Sequence, residues 1–150
     1  MGRRYSGYGA AAVGTNKTIL NVFPAATTVR PSLYDVLVGC AATPADQAAS
    51  FICGRHTALG TEGSGFTPVA LDPANPASVA DCGVAHSAEP TYTANLNLLQ
   101  FSLNQRATFR WVAAPGSELI SPVTASNGIG LYSLSATGTA SHSACFLFSE

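Results

Sequence analysis

"ANLNLLQFSLNQRATFRWVA", residues 94–113, alternates apolar and polar side chains with the two-residue period of a β-strand. In its second half Ala107, Phe109, Trp111 and Ala113 share one face, while Thr108, Arg110 and Val112 share the other. Phe109 and Trp111 therefore predict an inner, core-facing row. Arg110 is predicted to stand outside, against water, a neighbouring strand or a neighbouring subunit. In the first half Leu96 and Leu98 have one parity, and Leu99, Phe101 and Leu103 have the other. The phase slips between 98 and 99, as a β-bulge or burial on both faces would require. Joined through Asn104-Gln105-Arg106, residues 94–103 and 107–113 predict a hairpin.

The same reading extends in both directions. Strands are expected over 17–23, 32–41, 49–57, 66–71 and 79–86. A second hairpin is expected from 128–135 and 141–149 across Ala136-Thr137-Gly138, with the apolar last strand paired inside a sheet. Proline-bearing stretches such as "DPANPAS" (72–78) separate these runs as turns. "PADQAA" (44–49) is the single hint of helix, one turn at most. Short strands divided by turn signals predict an all-β chain, specifically a jelly-roll-like antiparallel β-sandwich over 16–150. The order of the cysteines around Trp111 does not fit an immunoglobulin-like sandwich. Residues 1–15, "MGRRYSGYGAAAVGT", have no period and are expected to form a flexible N-terminal arm.

A chain of 150 residues can bury about 70% of its unfolded surface as one domain. Charged residues make up only 10%, against roughly 25% in an ordinary soluble domain. A subunit that covers much of its surface with partners can dispense with charge, whereas a free monomer normally keeps it. The net charge of −1 argues against a nucleic-acid partner. No apolar run approaches the ~18 residues of a membrane span, and the N-terminus lacks the apolar stretch of a signal peptide. Cys40, Cys53, Cys82 and Cys145 are accordingly expected as buried, reduced thiols, with no disulfide.

Candidate chemistry is thin. "CGRH" (53–56) and "CGVAH" (82–86) supply two cysteines and two histidines. On strands, however, Cys53 and His56 point to opposite faces, and Cys82 and His86 lie about 13 Å apart. No metal or other cofactor is expected, and the histidines are expected at the surface. A cysteine nucleophile with His142 or His86 lacks an orienting group in the local sequence. "GTEGSG" (60–65) has Phe66 where a nucleophile elbow needs glycine. The glycine-rich stretches have no lysine after them, Lys17 being the only one in the chain. No catalytic residue is nominated and no enzyme activity is expected. Arg3, Arg4, Tyr5 and Tyr8 of the arm, with Arg110, are the candidate partner-binding residues.

Several phrases carry a family likeness. "ATPADQAASF", "TALGT", "TPVALDP", "PASVA", "AHSAEPTYT", "LNQRATFRWVAAPGSELISPVTASNGIGL" and "TGTASHSACFLFSE" resemble a family of small virion proteins of tailed bacteriophages. The likeness runs from about residue 30 to the end. The four cysteines depart from the family phrasing, and nothing before residue 16 matches it. The resemblance implies a small β-sandwich that decorates the capsid as a cement protein, often as a trimer. Its partners would be sister copies and the major capsid protein. Its location would be the virion surface, after synthesis in the bacterial host cytoplasm. A receptor- or glycan-binding tail or fibre tip domain is the alternative.

Overall fold

The computed structural model describes residues 2–136 and 140–150. Its strands are β1 (Arg4–Ala12), β2 (Lys17–Pro24), β3 (Ser32–Ala42), β4 (Ala48–Ala58), β5 (Ser64–Phe66), β6 (Val69–Ala70), β7 (Ala80–Val84), β8 (Thr91–Asn104), β9 (Phe109–Val112), β10 (Leu119–Ile120), β11 (Gly128–Ala136) and β12 (Ser141–Ser149). No helix occurs among the described residues, so the hint at 44–49 is not realised. The strands form two antiparallel sheets packed face to face, as a β-sandwich. Sheet A runs β10-β3-β12-β1-β6, with β9 also on β3, and sheet B runs β5-β7-β2-β11-β4-β8.

Alternation explains most faces. In β12, His142, Ala144, Phe146 and Phe148 are buried, while the residues between them are partly or fully exposed. Phe146 and Phe148 meet Tyr5, Leu33, Val36, Val38, Ile19, Leu20, Phe51 and Leu131 in one core between the sheets. Strand β2 breaks the pattern, being buried on both sides from Thr18 to Pro24. Its outer side is covered by the segment after β7. There Glu89 accepts hydrogen bonds from Lys17 Nζ (2.6 Å) and the Thr18 backbone N–H (2.7 Å), and the Tyr92 hydroxyl meets Thr18 Oγ1 at 2.8 Å.

The N-terminal residues correct the sequence reading. Residues 4–12 are not a flexible arm but a strand, paired with β12 from Arg4↔Ser149 to Ala12↔Ser141. Tyr5 is fully buried, stacks on Phe148 and donates its hydroxyl to the Pro76 carbonyl. Gly7 and Gly9 face β7 so closely that a Cβ at Gly7 would overlap Cys82 Sγ, and one at Gly9 would overlap Val84 Cγ1. The glycines that make this stretch look structureless are what lets the two sheets approach at this corner.

Both expected hairpins are also corrected. Strand β8 pairs with β4 in sheet B, whereas β9 pairs with β3 in sheet A. Likewise β11 lies in sheet B and β12 in sheet A, and residues 137 and 138 of the turn expected at 136–138 lie outside the described residues. Among the described residues no strand pairs with its immediate neighbour in sequence. Residues 104–108 bridge the sheets instead of turning within one. Gln105 is fully buried there, its N–H donating to the Gln47 carbonyl and its Oε1 accepting from the Ala45 N–H. The bulge expected near 98 is present: Cys53 faces Leu99 and Gly54 faces Asn97, leaving Leu98 as the extra residue.

Candidate functional site

The outer face of sheet A gathers three of the nominated residues. On β1, Tyr5, Gly7 and Gly9 point inward, so Arg4, Ser6, Tyr8 and Ala10 point out. Tyr8 is 62% exposed and its ring lies 5.7 Å from that of Phe66. Register sets Tyr8 opposite Cys145, and Cys145 opposite Leu37, so one row crosses three strands. This row floors an apolar groove of about 940 Å³, walled by Phe66 and Val69 on one side and Thr108 on the other. Among the described residues no acid, histidine or basic residue lines it.

A bulge shapes the other end of the face. Leu147 pairs with Asp35 and Phe148 with Leu33, which leaves Tyr34 extra and turns both Tyr34 and Asp35 outward. Asp35 is buried, and Arg110 lies across it from β9 with Nη2 to Oδ2 at 2.6 Å and Nε to Oδ1 at 3.1 Å. That hydrogen bond and Asp35's charge raise the guanidinium pKa above its ordinary value. Arg110 is thus exposed, as parity predicts, but it is committed to an intramolecular fork. Arg4 Cζ sits 5.8 Å from the centre of the Tyr34 ring. Burial raises the Tyr34 pKa; Arg4 opposes the rise and Asp35 adds to it. Tyr34, Arg4 and Glu118 line a smaller cleft of about 380 Å³.

The remaining nominees lie elsewhere. Tyr5 belongs to the core and cannot reach a partner. Arg3 is exposed beyond the end of β1, where its backbone exchanges hydrogen bonds with Glu150. Asp35, Leu37, Phe66, Val69 and Cys145 were not nominated. Asp35 carries a signal that the sequence does show: a lone acid inside "LYDVLV" (33–38) has to find a cation if it is buried.

The cysteine and histidine patterns come apart. Cys53 and Cys82 are buried in the core, and burial pushes the Cys53 thiol up to about 12 and the Cys82 thiol up as well. Neither is a thiolate at neutral pH. Cys145 and His142 point to opposite faces of β12. The histidines correct the expectation of a surface position, since His56, His86 and His142 are 1%, 2% and 0% exposed. His56 contacts Asn21 at 3.5 Å and the Tyr92 ring edge-on beneath the segment after β7, and His142 packs on Phe51. Among the described residues no cluster of three metal-ligating side chains forms. All four cysteines are free thiols, but the expectation of burial holds only for Cys53 and Cys82; Cys40 and Cys145 are partly exposed.

Comparison with protein-family models, with curated proteins and with solved structures finds no match. Fold and face together define a β-sandwich with an apolar groove of about 940 Å³ across the outer face of one sheet.

Proposed function

We propose that the chain is a non-enzymatic structural component of a tailed-bacteriophage virion, a capsid decoration or cement protein. It would bind as a homo-oligomer across junctions between major capsid protein subunits, on the outer surface of the head. The observation that carries this reading is the outer face of sheet A. An apolar groove lined by the exposed Tyr8 and Val69 is held on paired strands, in a chain with few charges. Interface centres are poor in charge and rich in aromatic residues. A groove held on strands binds without first being ordered. Several such contacts on neighbouring subunits make each further one effectively intramolecular, so modest contacts sum to firm attachment.

The strand order supports the jelly-roll form of the sandwich. Taking β5, β6, β7 and β10 as additions, β1-β12-β3-β9 faces β2-β11-β4-β8. The chain then passes repeatedly between the sheets, with its first and last strands adjacent. Jelly rolls build viral shells and lectins alike. The second reading, a glycan-binding tail or fibre tip, is favoured by the cleft that sets Tyr34 beside Glu118.

Electron microscopy of the particle tests the assignment. The expected result is density at junctions on the head; density confined to a tail tip rejects it. Re-addition of chain to depleted heads tests the face. Val69→Asp, at a 58% exposed position, is expected to abolish binding while leaving thermal unfolding unchanged. Specific retention on a glycan array, lost in Glu118→Gln, would favour the tip.

A further inference from the structure

The far edge of sheet B carries a second surface. Strand β8 is the outermost strand there, and among the described residues nothing pairs with its outer edge. It is 14 residues long, "TYTANLNLLQFSLN", with no charged residue and no proline. Exposed edges are normally blunted by lysine, proline, bulges or shortness, because a row of unpaired N–H and C=O groups is a template for another strand. Here the first half is blunted. Asn95 adopts a left-handed φ of 62° and Leu98 is bulged. The second half, Leu99–Asn104, has none of these devices and keeps regular register with β4, from Cys53↔Leu99 to Ala48↔Asn104.

The side chains of that half are unfinished as well. Leu99, Phe101 and Leu103 face the core but are only half-buried. Phe101 is stacked between Phe51, at 5.5 Å, and Phe109 of β9, at 3.8 Å. Phe109 and Trp111 are half-buried too, so both sheets leave an apolar margin along the same side of the sandwich.

We propose that β8 pairs with β8 of a second copy of this chain, antiparallel about Phe101, joining two B sheets into one. The segment is its own complement in this register. Leu99 falls opposite Leu103 and Phe101 opposite Phe101 on the inner face. Gln100 falls opposite Ser102 on the outer face. Apolar meets apolar, polar meets polar, and no like charges are opposed. A charged partner finds no counter-ion on this edge, whereas an identical strand needs none. Another open edge, β1 beyond Ser6, offers only Gly7, Gly9 and Ala11 on its inner side and has no comparable row to share. An isologous contact of this kind closes as a dimer. It therefore departs from the trimer implied by the family likeness, and it holds whether or not the chain decorates a capsid.

Light scattering during gel filtration tests it. The intact chain is expected at twice its 15.3 kDa mass. In Gln100→Lys/Ser102→Lys, lysines oppose lysines across the two-fold axis, and a monomer with unchanged circular dichroism is expected. In Gln100→Lys/Ser102→Glu, each lysine meets a glutamate of the other copy, and the dimer is expected to return. A monomeric or trimeric native chain overturns the proposal, as does a Lys/Lys variant that stays dimeric. Failure of the Lys/Glu variant to restore the dimer overturns the pairing about Phe101.

Discussion

At the scale of single residues, the buried histidines set the response to acid. Burial, assisted by the neighbouring His86, lowers the His56 pKa from its ordinary 6.5 to about 4, against a weaker opposite pull from the Ser126 backbone. Burial lowers His86 and His142 as well. Between about pH 4 and pH 6.5 the unfolded chain takes up protons that the folded chain refuses, so stability falls as pH falls through that window. Glu89 acts in the same direction. Burial alone would raise its pKa, but the hydrogen bonds from Lys17 and Thr18 and the charge of Lys17 outweigh burial and hold it below the ordinary value. Its contribution is likewise lost on acidification. Urea unfolding at about pH 7 and about pH 4 is expected to show a large loss at the lower pH. His56→Gln should remove on the order of 3 kcal/mol of that difference; an unchanged pH slope in the variant contradicts the assignment. The burial of His56 and His86 was not legible in the sequence, because it depends on the segment after β7 lying over β2 and β4, and no local pattern announces that cover; His142, by contrast, shares the parity of Phe146 and Phe148. Arg110 was legible by parity alone, whereas its partner Asp35 showed only as a lone acid in an apolar run.

At the scale of elements, β1 shows how composition misleads. Glycine and alanine without a period ordinarily mean a loose terminus, yet Gly7 and Gly9 are the positions where Cys82 and Val84 leave no space for a Cβ. Gly9→Ala is expected to destabilise the fold by about 1–3 kcal/mol through overpacking. Adding Val84→Ala in the same chain should recover part of that loss. Denaturant titration of the two single variants and the double variant measures the coupling, and simple additivity would contradict the contact. The bulge in β8 was legible because a slip of parity is a local fact. The partners of β8 and β9 were not, because alternation reports which way a side chain faces and is silent on which strand lies beside it. The connection Asn104-Gln105-Arg106 does hold a clue: it lacks the Asn-Gly or Gly-X pair that a tight hairpin needs.

At the scale of the whole molecule, the sandwich was legible and its wiring was not. Counting alternating runs separated by turns suffices for an all-β class, but the pairing of strands distant in sequence leaves no mark that a single sequence displays. That wiring has a kinetic cost. Every strand pair must close a long loop before it gains contacts, which places folding in the slow range of β-sandwiches, milliseconds to seconds. Stopped-flow refolding followed through Trp111 is expected to lie in that range, and completion within microseconds would contradict the topology. The register of Arg4–Ala12 against Ser141–Ser149 reaches further, into synthesis on the ribosome. Strand β1 has as its main neighbour β12, which is made only after every other described strand. While the residues between them are made, at about 5–20 residues per second, β1 waits with that edge bare. A nascent chain stalled before residue 141 should therefore remain sensitive to protease, and any helper that binds β1 must hold it until Ser141–Ser149 has been made.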